Sequence, residues 1–374
     1  MPTKFGKVIS GKHFSKLFLI LYILFICFAA CETNSALCLL SGRTHLFGIP
    51  YILFALLAVP IISKKNVSAK WFGKTYKKAK CFLRCFLIYY SGSLALWELM
   101  CLISGVSTKT KAVGVIATIG ICVVVVLLGY LHTKVIHTKR YNITLGSGSR
   151  YRIALISDIH LGIFVGEKHV QKLVTKINEI EPDLVVISGD IFDVDNSLLT
   201  RPEELKKISK QLRRIKSKEG VYAVVGNHDP EISDKAFKRL LKASKIQLLD
   251  NDAVVLSKLT LVGRTNEANN KRAPLGDILQ KADTEKPIAV LDHKPENIKE
   301  SAEYGVDLVL CGHTHRGQMF PITLFTKWAN GKDNFYGHSV TGKTHSIITS
   351  GVGFFELPVR IGTSNEIVDI HLQV

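Results

Sequence analysis

Acidic residues are nearly absent from the first 150 positions: Glu32 and Glu98 stand alone against nineteen Lys and Arg. Residues 151–374 hold twenty-nine acids against thirty Lys and Arg. Almost the whole formal charge of +18 therefore belongs to the first part. The second part has no basic excess with which to track a phosphate backbone, which argues against a nucleic-acid partner. Cysteine is scarce where it would be telling. Seven of the eight (27, 31, 38, 81, 85, 101, 122) fall in the first part and only Cys311 lies beyond it. No CxxC pair occurs, so neither a disulfide framework nor a cysteine zinc site is indicated. The seven act as small apolar residues, and the pattern suits a reducing compartment.

The first part has long apolar runs instead. Four stand out: Leu17–Cys31, Leu46–Ile62, Cys81–Ser104 and Ala112–Leu131. A spanning helix needs roughly 20 apolar residues. The last two runs meet that length; the first two reach it only with their uncharged flanks. Pro50 and Pro60 indicate a kink or ragged ends in the second. Lys4, Lys7, Lys12 and Lys16 precede the first run, seven lysines lie in Lys64–Lys80, and Lys134, Lys139 and Arg140 follow the fourth. The two intervening loops are poorer in basic charge. Positive charge marks the cytoplasmic side. The expected topology is therefore four helices over residues 1–140, with both the N-terminus and the C-terminal domain inside, as in a protein of a bacterial inner membrane. The "FAAC" at Phe28–Cys31 offers a rival, a cleaved leader with a lipoprotein-type cysteine; it leaves three spans and the same side for the C-terminal domain. Glu98, within the third run and beside Trp97, is either an interfacial anchor or an intramembrane functional acid.

From Tyr151 the pattern changes. "YRIALIS", "DLVVIS", "GVYAVVG", "AVVLS", "LTLVG", "IAVLDH" and "VDLVLCGH" are short apolar runs of strand type. "HVQKLVTKINEI", "PEELKKISKQLRRIKSK" and "DKAFKRLLKAS" carry helical spacing between them. Alternating strands and helices followed by more strands give an α/β layered domain over 151–374. The Gly- and Ser-containing stretch 141–150 reads as a linker.

The metal-capable residues fall just after the apolar runs: Asp158 and His160, Asp190 with Asp193, Asn227-His228-Asp229, Asp292-His293, and His313-Thr-His315. In open α/β sheets ligands bind outside the carboxyl ends of strands, so five strand ends bring these groups to one rim. Carboxylate with imidazole suits divalent ions such as Mn, Fe, Zn or Co. Without thiolates a structural zinc site is not indicated. The donors exceed the needs of one ion. Two ions with a bridging carboxylate use them more naturally, and such pairs serve phosphoryl chemistry.

In this order "DIH", "GDIFD", "GNHD", "DH" and "GHTH" resemble the calcineurin-like metallophosphoesterase superfamily from about Tyr151 to the C-terminus. "GHTHRGQ" and "TSGVGFFELPVRIGTSNEI" are similar to its membrane-associated bacterial branch. The resemblance implies a four-layer β-sandwich flanked by helices, here preceded by the four-helix membrane domain. It implies that Asp158, His160 and His315 bind one metal, that Asn227, His293 and His313 bind the other, and that Asp190 bridges them. It gives His228 the phosphate and the leaving oxygen, and makes Asp193 its orienting partner. Imidazole near neutral pH suits such general acid work. In "GRTNEANNKR", Asn266 replaces the acid that relatives often show, and Arg264 is a candidate phosphate clamp or a loop arginine. The expected function is hydrolysis of a phosphomonoester, phosphodiester or pyrophosphate by metal-activated water, with a lipid-linked substrate favoured by the anchor. UDP-2,3-diacylglucosamine hydrolysis in lipid A synthesis is one candidate task. Readings from other classes are a transporter or channel gated by the domain, and a metal-dependent binding module without turnover.

Overall fold

A computed structural model describes residues 11–42, 73–194, 196–268 and 271–374. The chain forms two compact units, Met1–Leu128 and Gly129–Val374.

In the N-terminal unit, α1 spans Gly11–Ser41 and α2 spans Gly73–Ser104; α3, Thr108–His132, begins here and runs into the second unit. The break between α2 and α3 is set locally. Gly105 adopts φ 59°, a left-handed conformation that glycine enters freely, and its N–H returns to the Cys101 carbonyl at 3.0 Å. The Ser107 hydroxyl then accepts from the Thr110 N–H at 3.2 Å and caps α3. Ala29, Ala30, Leu87, Tyr90, Leu94, Val115 and Cys122 are buried together. Thr33 and Tyr90 share a hydroxyl–hydroxyl bond of 2.7 Å. Both acids of this unit meet one cation: Lys111 Nζ lies 2.6 Å from Glu98 and 3.4 Å from Glu32. That pairing gives Glu98 a structural partner.

Among the described residues two helical segments, Lys74–Ser104 and Thr108–His132, rather than four, are long and apolar enough to cross a membrane. The twenty-five residues of α3 are about 37 Å long at 1.5 Å each, against a hydrocarbon core of about 30 Å. The expected first run lies within α1, of which Ile26–Ser41 forms a shorter apolar segment. The run Leu46–Ile62 lies outside the described residues. The basic loop expected over Lys64–Lys80 is shorter than that, because α2 starts at Gly73 and takes in Lys74, Lys77, Lys78 and Lys80. Lysine is a good helix former, so its charge marked the flank of the apolar run but not the end of the helix.

The C-terminal unit stacks two six-stranded sheets. The first comprises β1 (Ile136–Thr144), β2 (Arg150–Ile156), β3 (Leu184–Ser188), β4 (Val221–Val224), β5 (Ile246–Leu248) and β12 (Asn365–Gln373), in the order β1-β12-β2-β3-β4-β5. The second comprises β6 (Asp252–Val255), β7 (Thr260–Gly263), β8 (Ile288–Leu291), β9 (Leu308–Cys311), β10 (Gly337–Thr341) and β11 (Thr344–Ile348), in the order β10-β11-β9-β8-β7-β6. Period-two alternation sorts the side chains. Leu184 and Val186 of β3 turn towards Leu261, Leu291 and Leu310 of the other sheet. Val185 and Ile187 turn outward to α4 (Glu167–Ile180), α5 (Pro202–Leu212) and α6 (Lys235–Ser244), whose apolar stripes include Leu173, Ile208 and Leu240. Val290 and Val309 pack against α7 (Leu275–Leu279) and α8 (Ile298–Glu303). The result is the mixed α/β sandwich expected, with helices outside both sheets.

The stretch 141–150 is not a free linker. Residues up to Thr144 belong to β1, which pairs in parallel with β12 from Ile136↔Asn365 to Thr144↔Gln373. β1 is an edge strand with most side chains exposed, so no apolar alternation marks it in sequence.

Candidate metal centre

The expected ligands sit in loops leaving β2, β3, β4, β8 and β9, and hydrogen bonds lace these loops together. The Asp158 N–H donates to the Gly189 carbonyl at 3.0 Å, and the His160 N–H to the Asp190 carbonyl at 3.1 Å. Asp190 Oδ1 accepts from the His228 N–H at 2.9 Å, and the Asp158 carboxylate accepts from the His313 N–H at 3.1 Å. Asp158, His160, Asp190, His313 and His315 all have φ between 51° and 70°. Each such residue costs about 1–3 kcal/mol, and strain of this kind concentrates where a site needs it. Gly226 permits a close approach. A Cβ there would lie 2.1 Å from Asp190 Oδ1.

Two trios of ligand atoms result, Asp158–His160–His315 and Asp190–His293–His313, each within 4.8 Å of one another. His315 Nε2 lies 3.4 Å from Asp158 Oδ1, and His293 Nε2 lies 3.2 Å from Asp190 Oδ2. Asp190 Oδ2 is also 3.8 Å from His160 Nε2, so this carboxylate reaches both trios. The His293 Nδ1–H donates to the Ser188 carbonyl at 2.7 Å, which turns Nε2 into the site. Asn227 Oδ1 and His293 Nε2 are buried without a hydrogen-bond partner. A buried lone pair left unmatched costs about 1–3 kcal/mol, and a cation would satisfy both. The donor set therefore fits two divalent ions.

The electrostatics agree. Burial holds His160 and His313 down at about 3 and His315 well below its usual value, leaving neutral imidazoles of the ligating form. Burial raises Asp158 to about 6. Burial also opposes charge on His293, yet Asp190 and then Asp158 push it up to about 10.

Two expected site residues meet other partners. Arg264 is not a phosphate clamp. Its side chain is 3% exposed and its guanidinium meets Glu300 at 2.6 Å. A neighbouring helix had its carboxylate ready, which the loop sequence alone did not reveal. Asp193, expected to orient His228, approaches His160 Nδ1 at 3.8 Å. Its N–H bonds the Leu161 carbonyl, which fixes it on the β2 side of the rim. The group against His228 is Phe355, its ring stacked at 4.9 Å between centroids. Asn227, on the loop after β4, presents a buried Oδ1 without a hydrogen-bond partner.

Four further residues hold the centre. Asp229 is buried and accepts from the Phe192 and Gly226 N–H groups, pinning two loops; burial, then the nearby Asp190 charge, raises its carboxyl to about 7. Gln318 accepts from the Phe355 N–H and donates to the Phe355 and Leu357 carbonyls. Arg360, fully enclosed, donates to the carbonyls of His315, Ser350 and Gly353. Phe355 completes the set. Asp229 stood in "GNHD"; for Gln318, Phe355 and Arg360 the available signal was their place in "GHTHRGQ" and "GFFELPVR", but arginine and glutamine are ordinarily surface residues.

Residues 151–317 match the family model described as calcineurin-like phosphoesterase. The chain carries a calcineurin-like phosphoesterase domain. An uncharacterised metallophosphoesterase of Helicobacter pylori is 33% identical to it over 227 residues, 59% of this chain and 59% of that one. A transmembrane protein with metallophosphoesterase domain from Danio rerio is 34% identical over 239 residues, 59% of this chain and 53% of that one. The chain thus spans less than two thirds of the length of these relatives. Among solved structures, a dimetal phosphatase from Danio rerio aligns with a TM-score of 0.33 at 12% identity, covering 54% of this chain and 88% of that one. The matched segment contains Asp158, His160, Asp190, Asn227, His293, His313 and His315.

Proposed function

We propose that the protein is a membrane-anchored dimetal phosphoesterase. One observation carries this reading: two ligand trios meet at Asp190, and His228 stands beside them with its Nε2 3.9 Å from Asp190 Oδ2. Asp158, His160 and His315 would hold one divalent ion; Asn227, His293 and His313 would hold the other; Asp190 would serve both. Ions so held supply Lewis acidity and a lowered pKa for water.

The remaining work falls to the chain. His228 is part-exposed at the rim, so its ring meets the substrate, while its backbone N–H is fixed on Asp190. Stacking on Phe355 limits its rotation. Burial lowers its pKa, which makes the imidazolium a readier donor of its proton to the leaving oxygen. Asp193 acts on the His160 ring beside it.

Two apolar helices and a relative named as a transmembrane protein support the anchor. The basic residues flanking them favour a cytoplasmic domain. A lipid-linked phosphoester is the substrate class that a tether of this kind would serve.

The test is hydrolysis of bis-p-nitrophenyl phosphate by the full chain, stripped of metal and resupplied with Mn²⁺, beside Asp190→Asn. Metal-restored activity that the variant lacks, by about 1000-fold or more, supports the proposal. Equal activity in the two proteins would remove it.

A further inference from the structure

The helix α9, Ile322–Asn330, follows directly on the "GHTHRGQ" loop and is amphipathic in the wrong sense for a water-facing helix. None of its residues is buried. Its polar Thr323, Thr326 and Asn330, spaced to share one face, are the half-buried ones. Its apolar residues point away from the domain. Ile322 is 37% exposed, Leu324 58%, Phe325 67% and Trp328 85%, with Phe320 before the helix at 52%. Surface helices of globular domains do the reverse, and α4, α5 and α6 of this unit follow that rule. A contiguous apolar patch of this kind marks a surface with an occupant.

The root of α9 is rigid. The Phe320 N–H donates to the Ile361 carbonyl at 2.9 Å, and the Thr323 N–H to the Met319 carbonyl at 3.1 Å. Gly317 lies so close that a Cβ on it would meet Thr323 Cα at 2.5 Å. The outward direction of the apolar face is therefore built in.

We propose that this face docks into the interfacial zone of a lipid bilayer. Three observations select lipid. The exposed set is Trp, Phe, Leu and Ile, which suits the headgroup–acyl boundary. Lys327 and Lys332 flank it, and no acid occurs from Phe320 through Lys332, which complements anionic lipid. The same chain carries two helices of membrane-spanning length, and only Thr133–Val135 separate the second from β1. A second copy of the chain is a poor occupant. A nine-residue helix is about 13 Å long and about 10 Å across, so one face covers on the order of 130 Å², well short of the roughly 800 Å² per partner of a stable interface. Docked, α9 sets the mouth of the metal centre against the lipid surface, where a lipid phosphoester presents its headgroup.

The inference rests on the proposed membrane anchor, and the experiment separates the two. The full chain is placed in nanodiscs of phosphatidylcholine and phosphatidylglycerol, one copy per disc, with or without brominated acyl chains. Tryptophan emission is compared between wild type and Trp328→Phe; the difference belongs to Trp328, and the remainder to Trp71 and Trp97. Docking predicts that the Trp328 component falls about twofold or more with brominated lipid and resists aqueous acrylamide. It also predicts that Leu324→Glu with Phe325→Glu, both on a face without packing duties, abolishes that lipid quenching. A Trp328 component quenched by acrylamide but not by bromine overturns the inference while quenching of the remainder upholds the anchor. Shielding from both quenchers overturns it in favour of burial of Trp328 against the chain itself. No lipid quenching of any component removes the anchor as well.

Discussion

Many large apolar side chains of α2 and α3 face outward: Leu96 is 65% exposed, Leu102 82%, Ile121 60% and Val124 53%. The interior of that unit holds a Thr33–Tyr90 hydroxyl pair, and its two acids meet at Lys111. In the C-terminal unit the relation is reversed. Leu184, Val186, Leu291 and Leu310 are fully enclosed, and polar groups enter the interior mainly where the strand ends converge. One chain thus contains two solutions to burial, one suited to an apolar surrounding and one to water. α9 is the exception within the second unit, which is why it reads as an interface.

Glycine gives the sharpest way to test how tightly each region is built. Gly226 supports Asp190 with no room for a methyl group, whereas Gly120 in α3 has nothing within 4 Å among the described residues. Gly226→Ala is expected to push Asp190 aside and lower the metal-dependent rate about 100- to 1000-fold, since misplacement by about 1 Å has that effect. Gly120→Ala is expected to leave the rate unchanged and stabilise α3 by about 0.5–1 kcal/mol. Steady-state rates and metal content of the two variants, side by side, check this. Equal effects would mean that the rim is no more constrained than the helices.

The same comparison extends to two valines of nearly equal exposure, Val123 at 51% in α3 and Val255 at 48% in β6. If α3 faces lipid, Val123→Asp should shift insertion by about 2.5–3.5 kcal/mol, read as loss of carbonate-resistant protein. Val255→Asp faces water and should stay within about 0.5 kcal/mol by denaturant titration. A harmless Val123→Asp would return α3 to the aqueous class.

Much of the second unit was legible in the sequence because its strands are buried on both faces. Runs such as "DLVVIS" and "VDLVLCGH" announce themselves, and the acids and histidines that end them can be read in order. What escaped lacked that signal. β1 is exposed along most of its length and takes its pairing from β12 at the far end of the chain. The hairpin of β10 and β11 is half polar. At the site, ligand identity followed from residue type, but the roles of Arg264 and Asp193 depended on what approached them in space. Glu300 captured the first and His160 lies beside the second. The left-handed φ of five ligand residues has no composition signature either, since it is imposed by the loops that bind them together.

In the N-terminal unit two carboxylates share one cation, Lys111, whereas in the C-terminal unit one carboxylate takes several donors and can be titrated. Asp369 in β12 is fully enclosed, accepting from Arg152 at 2.8 Å, and from Arg140 and His371 at 3.1 Å. Burial alone would raise its carboxyl; the hydrogen bonds of Arg152, His371 and Arg140 outweigh it and hold the group at about 2. The folded value lies below that of an unfolded aspartate, about 3.9. Its contribution is therefore fully present above about pH 4 and is lost as pH falls through about 2. Arg140 is 60% exposed, so solvent screens part of the effect and about 1 kcal/mol is the expected size. Urea unfolding of wild type and Asp369→Asn should differ by a constant amount from pH 7 to pH 4, and the gap should narrow below that. A gap that holds unchanged down to pH 2 would mean that packing around β1, β2 and β12, rather than charge, sets the value of this residue.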